Sequence, residues 1–289
     1  MNKKKTKQKK GFLARVKESA VLCFSDYRYF ISSCALDILF FFLFALVYSF
    51  FSIRIMGHLI DVSGIMGGLG SDITTISQGF NNETAMMNIM AKEQILAENF
   101  KAVALLAAGA LLSLYILWTL LQGINWKMAA QKVDKAIKKM SLLKYIRDFA
   151  LLNLFWAAAA IILAYLSVQL SIYNDFAKIR IVSQGTIDIM TVLFFAALLY
   201  FIAVSYALVG RMKVRGIIKK TFVLGVKKVL VFLPAIVFVL LICVLIVYII
   251  SLLQLGLVAA VLLDLLLLLP LASFGRMLLL VCAENSLNS

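Results

Sequence analysis

Long uninterrupted apolar runs, rather than an alternation of apolar and polar positions, dominate this chain. Six of them, at residues 31–53, 102–124, 149–172, 189–209, 229–251 and 256–278, carry almost no charge. A hydrocarbon core about 30 Å thick needs roughly 20 residues of helix, so each run predicts a transmembrane helix. Barrel strands are excluded, because they would alternate in hydrophobicity and need only about half this length. The expected fold class is all-α: a polytopic transmembrane bundle of six spans. Residues 12–289 would form one transmembrane domain behind a disordered basic tail at 1–11, with 54–101 as the external loop.

The segments that precede the odd-numbered spans have a different pattern. Placed at 100° per residue, positions 12–30 gather Phe12, Leu13, Val16, Ala20, Cys23, Phe24, Tyr27 and Phe30 on one face and Lys17, Glu18, Asp26 and Arg28 on the other. Positions 126–141 set Lys127, Lys132, Lys135, Lys138 and Lys139 against Ala129, Val133, Ala136, Ile137 and Met140. A weaker version at 216–232 carries Lys219, Lys220, Lys227 and Lys228, with Val223 and Leu230 among them. Basic amphipathic interfacial helices are expected here. The three segments also align without gaps from Lys17, Lys138 and Lys219, which predicts elbows at Ser32, Asn153 and Pro234, residue types that favour helix starts.

Composition fits this picture. The 289 residues are 63% hydrophobic and only 15% charged, and the mean hydropathy is +1.00. A water-soluble domain carries roughly 25% charged residues, so a water-facing exterior is excluded. Charge then orients the chain. Its net +15 is concentrated in nine basic residues up to Arg28, seven between spans two and three, and seven between spans four and five. The positive-inside rule places both termini in the cytoplasm of a cell that carries the protein in its cytoplasmic membrane. The expected partner is a bilayer with anionic headgroups, met by Lys127, Lys132, Lys135, Lys138, Lys139, Lys219, Lys220, Lys227 and Lys228, each gaining about 1 kcal/mol near such a surface. A membrane-protein partner or a second copy of the chain is the other partner class. Nucleic acid is not expected, since no recognition motif accompanies the basic tail.

Ionisable residues inside spans are candidates for function because burying them is costly. Asp264 lies in a run of leucines near the middle of span six, and Asp37 one to two turns into span one. Asn153, Gln122 and Arg276 are further intramembrane polar candidates. Asp264 and Arg276 stand twelve residues apart, about 18 Å along a helix, so they do not pair within it. In the external loop, glycines weaken any helix over 55–70, whereas a new helix is expected to start near Asn82 and extend span two outward. Asn82-Glu83-Thr84 also matches the glycosylation acceptor pattern.

Catalytic signatures are missing. The single histidine, His58, has no partner at ligand spacing, so neither a metal site nor a cofactor is expected. There is no P-loop, nucleophile elbow or dinucleotide fingerprint. The cysteines, Cys23, Cys34, Cys243 and Cys282, avoid the external loops, which predicts reduced thiols rather than disulfides. With basic elbows before spans and Phe232-Leu233-Pro234 opening one of them, the layout resembles that of uncharacterised six-span integral membrane families of bacteria and archaea. That resemblance is one of layout and carries over no activity or site residue. The expected function is therefore non-catalytic: organising anionic lipid, or supporting a membrane complex, through the basic cytoplasmic face. The alternative is a small-solute or ion permease using Asp264 near the bilayer midplane.

Overall fold

A computed structural model of the protein describes residues 11–77, 83–176, 183–254 and 256–287. Every regular element among them is helical: α1 (Phe12–Phe24), α2 (Tyr27–Ser77), α3 (Glu83–Leu117), α4 (Gly123–Val133), α5 (Lys135–Lys138), α6 (Leu142–Phe176), α7 (Gln184–Tyr206), α8 (Val214–Lys227), α9 (Val229–Leu252) and α10 (Leu257–Leu287). A single wider π turn, Trp118–Gln122, separates α3 from α4. Six helices are long and apolar enough to cross a membrane. In their most apolar stretches only between 6 and 22% of the residues are buried inside the protein. Water would not tolerate so much exposed leucine, valine and phenylalanine, whereas hydrocarbon does. The chain is a multi-pass membrane protein with an all-α fold.

Two helices run further than hydropathy alone indicates. α2 continues through the glycine-rich stretch to Ser77. A Cβ added at Gly57, Gly64 or Gly67 would meet nothing within 4 Å, so these glycines are not there to admit a neighbour. Each costs a helix about 1 kcal/mol, an amount that the rest of a 51-residue helix absorbs. α3 starts at Glu83, close to the expected start. Asn82 itself, with its glycosylation pattern, and the tail at 1–10 lie outside the described residues.

The elbows fall earlier than expected. The breaks precede Tyr27, Leu142 and Val229, so Ser32, Asn153 and Pro234 all lie inside helices. At the first break the side chain of Asp26 accepts from the backbone N–H of Tyr29 at 3.1 Å, capping α2 in place of Ser32. At the second, Ser141 Oγ accepts weakly from the N–H of Lys144 at 3.4 Å. The first and third units keep the gapless register, with α1 beginning at Phe12 and α8 at Val214, 202 positions later in each case for the helix that follows. The middle unit departs from it, because Asp134 adopts an extended backbone, ends α4 and caps the short α5 by accepting from Ala136 N–H at 2.8 Å. One basic helix is thereby divided into two.

The chain divides into two compact units, residues 1–38 with 119–289, and residues 39–118. The first has a continuous core that draws on α1, α4, α6, α7, α8, α9 and α10. Trp126 and Phe149 pack against Tyr206, with ring centroids 5.5 and 4.8 Å apart. Phe238 lies between Phe12 and Phe274. α8 comes so close to α7 that a Cβ on Gly225 would lie 2.6 Å from the ring of Phe201, while Tyr200 donates its hydroxyl to the Gly225 carbonyl at 2.8 Å. The second unit is a helical hairpin held by Phe40 against Trp118, by the ring of Phe51 against Gly109, and by a 2.7 Å bond between His58 Nδ1 and Asn99 Oδ1.

Candidate functional site

Three polar pairs at helical spacing converge in the first unit: Ser33 with Asp37 on α2, Gln122 with Asn125 at the start of α4, and Ser273 with Arg276 on α10. Residues three or four apart share a helix face, and each helix turns its polar face inward. The π turn just before α4 ends in Gln122, at the point where this inward face begins. All six side chains are buried.

Arg276 is the centre of this cluster. Its guanidinium forms a two-pronged ion pair with Asp37, Nη2 to Oδ2 and Nη1 to Oδ1, the latter at 3.2 Å. Asp37 Oδ1 also accepts from Gln122 Nε2 at 3.0 Å and Asn125 Nδ2 at 2.9 Å. Arg276 Nη2 reaches Ser33 Oγ at 2.9 Å and Ser273 Oγ at 3.1 Å, and the two serine oxygens are 2.8 Å apart. Ser33 Oγ donates to Asn125 Oδ1 at 2.7 Å, and Asn125 Nδ2 also donates to the Ser33 carbonyl at 3.1 Å. A bidentate arginine–carboxylate pair is a strong charge-assisted contact. It is tolerated in an apolar interior only because neighbouring donors and acceptors take up the remaining valences. Within this cluster, Arg276 Nε is the one buried side-chain atom left without a hydrogen-bond partner.

Further polar contacts tie the surface helices to the same unit. Lys132 pairs with Asp26, joining α4 to the residue that caps α2. Hydrogen bonding from Lys132, and then from the Tyr29 backbone, holds the Asp26 carboxyl below its ordinary pKa. Arg211 donates to Glu284 at 2.6 Å and lies 3.9 Å from Asp134. The hydroxyl of Tyr206 donates to Asn153, and Trp156 Nε1 donates to Ser205 at 2.9 Å. All four cysteines are free. Burial pushes the Cys23 thiol up to about 11, with Cys34 adding to the rise and Arg276 opposing it, so it remains protonated at neutral pH.

The structure separates the lysines singled out from sequence. Lys132, Lys135, Lys138, Lys139, Lys219 and Lys227 are exposed, and Lys220 and Lys228 are half-buried. Lys127 is only 8% exposed and lies among the buried residues of α4. Among the apolar residues between these lysines Ile137, Ile217 and Leu224 turn inward, whereas Phe222, Val223 and Val226 are exposed. Of the intramembrane candidates, Asp37, Arg276 and Gln122 come together, and Asn153 is engaged by Tyr206. Asp264 stands apart: half-buried on α10, it has one buried oxygen, Oδ1, with no hydrogen-bond partner.

Ser33, Asn125 and Ser273 were not singled out from sequence. Their signal was nonetheless present, in polar residues spaced three or four apart on otherwise apolar helices. Among the described residues no group of three or more His, Cys, Asp or Glu side chains is arranged to hold a metal. Comparison with protein-family models, with curated proteins and with solved structures finds no match.

Proposed function

We propose that this is a non-catalytic membrane protein that organises anionic lipid, or supports a membrane complex, through a basic cytoplasmic face. The observation that carries the reading is the outward array of Lys132, Lys135, Lys138, Lys139, Lys219 and Lys227 above buried apolar side chains. Such an arrangement suits a surface that rests at the headgroup boundary, where each lysine gains about 1 kcal/mol from anionic lipid. The clustering of basic residues in alternate loops supports an orientation with both termini in the cytoplasm. The cluster around Arg276 supports a scaffold, because its polar groups bond to one another, with Arg276 Nε alone among them left over. The test is extraction of the protein from native membranes in polymer-bounded discs, followed by identification of the lipids and proteins retained. Enrichment of anionic lipid or of a defined partner, lost when Lys132, Lys135, Lys138 and Lys139 are changed together to Gln, supports the reading. Identical retention by the two proteins contradicts it.

A second reading, a small-solute or ion permease using Asp264, has one observation in its favour: the buried Asp264 oxygen without a partner. It predicts flux in proteoliposomes that Asp264→Asn changes. Equal flux in both proteins removes Asp264 from such a role.

A further inference from the structure

A cavity of about 730 Å³ opens beside the turn between α7 and α8 and the start of α6, lined by Lys144, Arg147, Asp148, Arg211 and Lys213 together with apolar Met140, Leu151, Met212 and Val214. Of the four cations that line it, Arg147 is paired with Asp148 at 3.1 Å and Arg211 with Glu284 and Asp134, while Lys144 and Lys213 are exposed. Arg211 is the anchor. Its side chain is only 5% exposed. Nη1 is taken by Glu284 and Nε is ion-paired with Asp134 at 3.9 Å, yet Nε and Nη2 are buried and neither makes a hydrogen bond. A buried guanidinium with two unused donors lacks ligands that an anion would supply.

Two backbone features shape the cavity wall. Gly210, at φ 81°, turns the chain between α7 and Arg211, and a Cβ there would meet the Tyr145 ring at 3.1 Å. Only glycine takes that backbone conformation at this position without strain. The turn then delivers Lys213 and Val214 to the cavity wall as the N-cap and first residue of α8, a 14-residue helix whose start no side chain caps. The free N–H groups of a helix start favour an anion.

We infer that this cavity binds the phosphate of an anionic amphiphile, gripped by Arg211 and the start of α8, with Lys144 and Lys213 at its mouth and Met140, Met212 and Leu151 against the ligand's apolar part. The inference rests on the lipid-organising reading above but names a different set of residues and a single saturable site.

Native mass spectrometry of the full chain in detergent tests it. The probes are phosphatidylglycerol and zwitterionic phosphatidylcholine, with inorganic phosphate and glycerol phosphate as soluble forms of the same chemistry. The expected result is one retained phosphatidylglycerol at concentrations where phosphatidylcholine is not retained. Its affinity should fall about tenfold in Lys144→Gln/Lys213→Gln, whose exposed side chains should leave melting unchanged, and again in Arg211→Lys, which keeps a charge for Glu284. Displacement by soluble phosphate would support a phosphate site of either source, and phosphate binding without lipid would assign it to a soluble ligand. Equal retention of the two lipids, or unchanged affinity in both variants, overturns the inference. The Lys132, Lys135, Lys138 and Lys139 variant separates the two ideas. If it loses bulk anionic enrichment but keeps the single bound lipid, the cavity works as inferred alongside the collar. If the wild type shows no enrichment while the single lipid remains, only the collar reading fails.

Discussion

Ser33 and Asp37 lie on the same helix as Phe41, Phe42 and Phe50, yet the two stretches meet opposite environments. Ser33 and Asp37 are buried and hydrogen-bonded to Asn125, Ser273, Gln122 and Arg276. The three phenylalanines are each at least half exposed, and the unit at 39–118 is joined by contacts such as Phe40 against Trp118 and the bond between His58 and Asn99. Apolar packing in lipid has little directional preference, because hydrocarbon competes with every side chain on equal terms. A buried polar cluster is selective, since only one arrangement of helices satisfies its donors and acceptors. The first unit therefore carries the specificity of the fold, and the hairpin unit offers a surface to lipid.

The largest break in that contrast comes from removing one side of the ion pair. Asp37→Ala leaves Arg276 as an uncompensated buried charge and should cost about 3–5 kcal/mol. Replacing both, as Asp37→Leu with Arg276→Met, should cost less than the sum of the single changes. Thermal unfolding in detergent, run as a double-mutant cycle, measures this coupling. Additive losses would show that the pair does not act as a unit.

Next in size is a pair of glycine substitutions. Gly225→Ala forces a methyl group into the ring of Phe201 and should cost about 1–3 kcal/mol. Gly57→Ala, in the hairpin unit, meets nothing within 4 Å and should be neutral or stabilising by up to about 1 kcal/mol. Melting temperatures that move in the same direction for both would erase the distinction between a tightly packed unit and an open one.

The smallest effect is the pH dependence at Asp26. Its folded pKa is depressed, so the stability it contributes is present above the ordinary value of 3.8 and is lost as the pH falls through the lower folded value. Asp26→Asn should therefore be less stable than wild type at neutral pH, and the difference should close below pH 3.8. A difference that stays constant across that range would mean that capping, not charge, accounts for the contact.

Much of the fold was legible in the sequence. Six spans could be read because continuous hydrophobicity at this length has one helical solution. The length of α2 was not, since five glycines between 57 and 70 lower local propensity, whereas the helix is decided over its whole length. Ser32, Asn153 and Pro234 are residue types that favour helix starts, yet all three lie inside helices. Asp26 takes the capping role, and Asn153 is held by Tyr206. The pairing of Asp37 with Arg276 was the hardest to see. Sequence shows that each is expensive in an apolar run, but 239 positions separate them, and only the packing of α2 against α10 names the partner. Arg211 was hidden for the same reason, as one basic residue among seven in its loop.

In the proposed function the exposed lysines act on lipid while the buried polar groups act on one another. The most direct measurement is the relative affinity of the reconstituted protein for anionic over zwitterionic lipid, for wild type and for the Lys132, Lys135, Lys138 and Lys139 to Gln variant, at low and high salt. Exposed charges are screened over about 10 Å at 0.1 M salt and over about 3 Å at 1 M. The expected result is a wild-type preference for anionic lipid that falls with salt, and in the variant a much smaller preference at low salt, limited to the single lipid of the cavity. A wild type without preference, or a preference that salt and the substitutions leave intact, would contradict it.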